Sequence, residues 1–261
     1  MNASAGVDIG SATTKVAIVR NGTVLATEVV STGYDMSGAA NNTLDKALAL
    51  AGLSRQDLGY IISTGYGRRS VSFANETITE ITCHAKGAYS LIPETRTIID
   101  IGGQDNKVIW LNDEGVVTDF SMNDKCAAGT GRYLELVSRT LDLTVEELGQ
   151  ISLQSGHPEV ISATCVVFAE SEVVTLRASG ARKEDIAAGI HLALAQRMSS
   201  MASHRGFRKE VVFTGGVAKN VGMIKAMSDK IGFNVLIPKE PQIAGALGAA
   251  LLAAEANQAT K

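Results

Sequence analysis

The chain has 261 residues, 45% of them apolar, enough to fill one large core or two modest ones. Its 24 Lys and Arg and 27 Asp and Glu are scattered, so there is no basic footprint for nucleic acid, and no apolar run reaches the roughly 18 residues a membrane span needs. The start, Met1-Asn2-Ala3-Ser4-Ala5, lacks a signal-peptide pattern, and three cysteines, Cys83, Cys126 and Cys165, make a poor disulfide framework. A cytoplasmic protein is expected, its thiols serving as metal ligands, reactive groups or buried small residues.

Gly6–Ile9 and Lys15–Arg20 read as strands around a short turn, and Asn21-Gly22 is a hairpin signal leading to a third strand, Thr23–Val30. Alanines and leucines at helical spacing predict a helix over Ala39–Leu50, ended by Gly52. A short strand, Ile61–Ser63, precedes Thr64-Gly65-Tyr66-Gly67-Arg68, and a helix follows at Glu80–Leu91. Three more strands are expected at Thr97–Ile101, Lys107–Leu111 and Val116–Met122, then helices at Gly131–Leu141, Val145–Ile151 and Phe168–Ala178. Over Lys183–Ser203, Ile186, Ile190, Leu194, Met198 and Met201 share one helical face. A strand, Val211–Thr214, runs into Gly215-Gly216, a helix spans Val217–Ile231, and strand Asn234–Ile237 and helix Ile243–Ala256 complete the pattern.

One segment is written twice. Val7-Asp8-Ile9-Gly10-Ser11-Ala12-Thr13-Thr14-Lys15-Val16 recurs without a gap, 92 positions later, as Ile99-Asp100-Ile101-Gly102-Gly103-Gln104-Asp105-Asn106-Lys107-Val108. A period this long is not that of a solenoid, so duplicated domains are expected, whose two turns would grip one polyphosphate from opposite sides. The boundaries read as 1–95, with 241–261 packing back on it, and 96–240.

Glycine at a strand-to-strand turn lets backbone N–H groups approach phosphate, so Gly10, Ser11, Ala12, Thr13 and Thr14 are candidate nucleotide contacts, with Lys15 adding charge. Gly102, Gly103 and Gln104 are their counterparts. This is not a Walker A loop, because the segment after Lys15 reads as a strand. Asp8 and Asp100 are candidate catalytic carboxylates for Mg²⁺, directly or through water. Gln104 would orient the attacking water in ATP hydrolysis, and Asp105 stands beside it. Gly215, Gly216 and Asn220 suit the adenosine end of the nucleotide, and Gln242, Gly129 and Thr130 complete the candidate set.

Two phosphate hairpins and a strand-Gly-Gly motif resemble the actin, hexokinase and heat-shock chaperone ATPase superfamily, across nearly the whole chain. Asp100-Ile101-Gly102-Gly103-Gln104-Asp105, Asn123-Asp124-Lys125-Cys126-Ala127-Ala128-Gly129-Thr130-Gly131-Arg132, Cys165-Val166-Val167-Phe168-Ala169-Glu170-Ser171-Glu172 and Thr64-Gly65-Tyr66-Gly67-Arg68 narrow the likeness. They resemble the ATP-dependent activators of 2-hydroxyacyl-CoA dehydratases, which are similar to benzoyl-CoA reductase ATPase subunits. The resemblance implies an α/β fold of duplicated actin-like (ribonuclease H-like) domains with mixed sheets flanked by helices. It also implies ATP/ADP and Mg²⁺ as ligands, and a homodimer holding one [4Fe–4S] cluster. Single electrons would pass from reduced ferredoxin or flavodoxin to a partner dehydratase or reductase.

Such a cluster takes four thiolates, and a two-fold dimer supplies them if each subunit gives Cys126 and Cys165. Each of these precedes a predicted helix, whose free N–H groups favour an anionic group. On the residues alone, both are equally readable as buried small side chains, and Cys83, inside a helix, as core. Two other readings stand beside this one: a small-molecule kinase of the same superfamily with Asp100 or Asp105 as base, and a nucleotide-switched scaffold without a cluster.

Overall fold

A computed structural model of the protein describes residues 2–162 and 165–259; Met1, Thr260 and Lys261, at the ends of the expected domain ranges, lie outside it. By contacts the chain divides into two units: residues 1–96, 109–119 and 238–261, and residues 97–108 and 120–237. The sequence reading did not include 109–119 in the first group. Within that unit, Arg96 Nε pairs with Asp113 Oδ1 at 2.9 Å and the Tyr89 hydroxyl donates to the Asp113 carbonyl at 3.0 Å.

The first unit is built on strands β1 (Ala3–Ile9), β2 (Thr13–Arg20), β3 (Thr23–Ser31), β4 (Leu58–Thr64) and β5 (Glu76–Thr77). Their order is β3-β2-β1-β4-β5, with β1 antiparallel to β2 and parallel to β4. Alternation along β1 sends Ala3, Ala5, Val7 and Ile9 to one face. There they meet Ala40, Leu44, Ala47 and Leu48 of helix α1 (Met36–Ala51). Asp35 caps α1 by accepting from the Gly38 N–H at 2.9 Å, and Gly52 ends it at φ 64°.

The opposite face carries α2 (Glu80–Leu91) and, from the far end of the sequence, α8 (Ala244–Ala259). Here small residues allow backbone to lie on backbone. A Cβ at Gly6 of β1 would stand 2.1 Å from the Ala246 carbonyl oxygen, and one at Gly248 would stand 1.8 Å from that of Cys83. Ala17, Val19, Ala246, Leu247 and Ala250 form one cluster on this face, and Ile62, Cys83, Ala249 and Ala253 another.

The second sheet takes β6 (Thr97–Ile101), β7 (Asn106–Leu111), β8 (Val117–Asn123) and β9 (Val211–Thr214) in the order β8-β7-β6-β9, with β6 parallel to β9. Three consecutive strands followed by one parallel neighbour is also the order β3-β2-β1-β4, so the duplication seen in the sequence is a duplication of sheet topology. Its helices are α3 (Gly131–Thr140), α4 (Val145–Ser152), α5 (Val166–Ala178), α6 (Lys183–Met201) and α7 (Val221–Ile231). Ile186, Ile190, Leu194 and Met198 of α6 are all buried.

Two expected elements differ. Residues 234–237 form no strand, because the only ladder contact there is the bridge Val212–Leu236, closed by Phe213 N–H to Leu236 O and Leu236 N–H to Val211 O, both at 2.8 Å. The expected helix Val217–Ile231 is two pieces, a 3-10 turn at Gly216–Lys219 and α7, because Asn220 between them is extended and caps α7.

Candidate functional site

In the first turn, Asp8 and Lys15 face each other across the β1–β2 ladder, and Lys15 Nζ lies 3.2 Å from Asp8 Oδ2. Asp8 is buried and its charge is balanced, so the ammonium expected to serve phosphate alone is also the partner of the carboxylate. The Gly10 N–H donates to the Thr13 carbonyl at 3.0 Å, closing the turn and leaving Ser11, Ala12 and Thr13 partly exposed at its tip. Thr14 points into the fold. Its hydroxyl is fully buried and shares a 2.9 Å hydrogen bond with Thr32, which donates to the Gly10 carbonyl at 2.8 Å, so it braces the turn from within. Gly65, at φ 87°, closes over the other side of Asp8, where a Cβ would stand 2.4 Å from Oδ1.

The second turn repeats the geometry with an extra charge. Lys107 Nζ lies 3.2 Å from Asp100 Oδ2 and 2.6 Å from Asp105 Oδ2, and its side chain is 2% exposed. Thr214, at the end of β9 and in register with Asp100, donates its hydroxyl to Asp100 Oδ1 at 2.8 Å. The sequence reading missed Thr214; the signal was its place as the last strand residue before Gly215-Gly216. Asp105 pairs with Lys107, and Gln104 is exposed at the tip beside the partly exposed Gly102 and Gly103.

Of the remaining candidates, Gly216 is exposed and Gly215, at φ 86°, is partly so, while Gln242 is partly exposed in a 3-10 turn, Pro241–Ile243, of the first unit. Asn220 is turned into the fold. Its Oδ1 accepts from the Met223 N–H at 3.0 Å and meets His191 Nε2 at 3.0 Å, and its Nδ2 donates to the Val145 carbonyl at 2.9 Å, so its polar atoms are engaged inside the fold. Burial pushes the His191 imidazole below its usual range, although its bonds to Ala187 and Asn220 favour the charged form. Gly129 and Thr130 are buried too, and the Thr130 hydroxyl donates to the Ala127 carbonyl at 2.6 Å.

The cysteines fall into two kinds. Cys83 lies in the core between α2 and α8, and burial pushes its thiol up to about 12. Cys126 and Cys165 are partly exposed. Cys165 occupies the N-cap of α5 without a side-chain capping bond, which leaves the first-turn N–H groups available to an anionic sulfur. Cys126 is not at a helix start. It sits five residues ahead of α3, whose N-cap is Thr130. Two accessible thiols, one of them at a helix N-terminus, fit an iron–sulfur group, and among the described residues no cluster of three or more His, Cys, Asp or Glu completes a metal site within the chain. Val167 and Phe168, in the first turn of α5, are each 64% exposed. No described helix is long and apolar enough to cross a membrane.

Comparison with known proteins places these features. The family model described as the BadF/BadG/BcrA/BcrD ATPase family matches residues 5–253. The chain is 48% identical over 254 residues to the activator of lactoyl-CoA dehydratase from Anaerotignum propionicum, covering 97% of this chain and 98% of that one. The solved structure of the activator of the 2-hydroxyisocaproyl-CoA dehydratase from Clostridium difficile with bound ADPNP is similar at a TM-score of 0.93 and 45% identity, covering 99% of this chain and 96% of that one. A ROK family glucokinase from Streptomyces griseus, at 16% identity and a TM-score of 0.54 over 97% of this chain and 99% of its own, shares the fold alone, that of actin-like ATPases. Its paired carboxylate–lysine turns thus have a setting: the chain belongs to the BadF/BadG/BcrA/BcrD ATPase family.

Proposed function

We propose that the protein is an ATP-hydrolysing activator that delivers single electrons to a 2-hydroxyacyl-CoA dehydratase or a related CoA-ester reductase. The observation that carries this reading is the presence, in one compact unit, of a carboxylate–lysine phosphate turn and two partly exposed cysteines. The relatives named as dehydratase activators support the same assignment.

Asp8 and Asp100 would hold Mg²⁺, directly or through water, while turn N–H groups and Lys15 take the phosphates. Gln104, exposed at its turn, would orient the water that attacks the terminal phosphate. Cys126 and Cys165 from two copies of the chain would hold one [4Fe–4S] cluster, which supplies low-potential single-electron transfer when bound. The exposed Val167 and Phe168 beside Cys165 are the kind of apolar surface a second copy would cover. Reduced ferredoxin or flavodoxin would be the electron donor, in the cytoplasm. Contacts to the terminal phosphate need to bias a two-state element by about 5.5 kcal/mol to turn a 1:99 ratio into 99:1.

The test is anaerobic purification with iron and sulfide assays, spectra before and after dithionite, and ATP turnover. Expected are iron and sulfide in the dimer, their loss in Cys126→Ser, and ATP turnover lowered by Gln104→Ala with the visible absorbance intact. A colourless protein that phosphorylates a sugar or acid would overturn the reading in favour of a kinase. Slow turnover with neither iron nor phosphoryl transfer would leave a nucleotide-switched scaffold.

A further inference from the structure

Positions 14 and 106 are equivalent in the duplicated hairpins, and both tie their turn to the chain beyond the third strand of the copy. In the first copy Thr14 bonds Thr32, the residue directly after β3. In the second copy the side chain is Asn106, fully buried, and its Nδ2 donates at 2.7 Å to the carbonyl of Gly129, six residues beyond the end of β8. The intervening residues, 124–128, carry Cys126.

This loop is held at both ends. Asn123 Nδ2 donates to the Cys126 carbonyl at 2.8 Å, and Gly129, at φ 86°, has Asn106 Nδ2 and Arg197 Cδ where a Cβ would point, at 2.9 and 2.6 Å. Beyond it, the first N–H groups of α3 are capped by the phosphate turn itself: Gly131 N–H donates to Gly102 O at 2.9 Å and Arg132 N–H to Gly103 O at 3.0 Å. The Gly102–Asn106 turn, the Cys126 loop and the start of α3 therefore form one hydrogen-bonded body. The Asn106 amide supplies a side-chain bond from turn to loop. Asn106 Oδ1 is buried and meets no donor among the described residues, so the amide retains an acceptor for a second arrangement of the turn.

We propose that Asn106 is the positioning residue that makes the Cys126 loop follow the state of the phosphate turn, and that the duplicated Thr14 tether was extended at this site to do so. The proposal rests on the reading that the turn binds nucleotide phosphate. A carbonyl at Gly129 requires a donor, which the isosteric Asp cannot supply.

The experiment is hydrogen–deuterium exchange on the anaerobic, cluster-loaded protein with ADP and with a non-hydrolysable ATP analogue, alongside calorimetric nucleotide affinities and melting temperatures. In the parent protein, amides 123–132 are expected to exchange at rates differing by about fivefold or more between the two nucleotides. In Asn106→Asp, and in Asn106→Ala should the first variant fold poorly, that difference vanishes while exchange at 102–106 still responds and nucleotide affinity holds. Thr14→Val should leave the response at 123–132 intact. If nucleotide changes exchange at 102–106 but not at 123–132 in the parent, or if both Asn106 variants keep the response, the coupling role is wrong and the ATPase reading stands. If the parent binds no nucleotide at all, both fall.

Discussion

Lys107 Nζ lies 3.2 Å from Asp100 Oδ2, and Lys15 Nζ lies the same distance from Asp8 Oδ2, ninety-two residues earlier. The two pairs are copies in geometry but not in charge. Asp8 and Lys15 cancel, whereas Lys107 is shared with Asp105, which leaves the second turn with one net negative charge. On charge alone, phosphate is expected to favour the first turn and Mg²⁺ the second.

Asp105→Asn removes that excess charge and leaves Asp100 in place. The Mg²⁺ concentration for half-maximal ATP turnover is expected to rise about tenfold, the roughly 1.4 kcal/mol that one charge near a protein surface contributes at about 12 Å. Titrating Mg²⁺ at fixed ATP measures it, and an unchanged midpoint would remove Asp105 from the metal's surroundings.

Lys107→Met removes the ammonium, 2% exposed, that balances the buried Asp100 and the partly exposed Asp105. A broken buried pair of this kind costs about 3–5 kcal/mol, so a sharp fall in the urea midpoint is expected. Lys15→Met, whose parent side chain is 14% exposed, should lose less.

Cys83 should resist alkylation in the folded protein, because a thiol raised to about 12 is ionised at pH 8 in about one molecule in ten thousand. Mass mapping of the metal-free protein with iodoacetamide is expected to find Cys126 and Cys165 modified, and Cys83 only after unfolding. The folded state also keeps the Cys83 proton where the unfolded chain gives it up. Its contribution to stability is therefore complete below about pH 9 and lost as pH rises towards 12. In Cys83→Ala that alkaline slope should shrink.

Asn220→Ala is expected to lower stability by about 1–3 kcal/mol, through loss of the α7 cap and of the partner of His191, without changing nucleotide affinity. A nucleotide affinity that falls with it would return Asn220 to the binding site.

The sequence made legible whatever depends on local pattern. Thr97–Ile101, Val211–Thr214 and Glu80–Leu91 have the expected boundaries, because short apolar runs ending in glycine and a capping Thr79 mark their ends. The repeat announced the two meanders, whereas the parallel fourth strand of each sheet is seen only in the structure. Long-range hydrogen bonds were not legible. Whether Thr14 and Asn220 turn towards a ligand or into the protein depends on Thr32 and Val145, 18 and 75 residues away in sequence, and no spacing rule connects these partners. Thr214 escaped for the same reason, since its value comes from the register of β9 against β6. Cys126 stands ahead of a helix that begins at Gly131, as expected, and Cys165 lies closer to its own helix than expected, because α5 begins at Val166 rather than Phe168.

The contact of Gly6 with α8 also bears on how the molecule is made. The sheet of the first unit is encoded ahead of the second unit, yet one of its faces is covered in part by residues 244–259. During synthesis, the part of that face under α8 must stay uncovered while the ribosome translates the whole of the second unit, whose own residues are complete by 237. The later-encoded unit is thus free to finish folding first, and the nascent first unit is the stretch most in need of a chaperone.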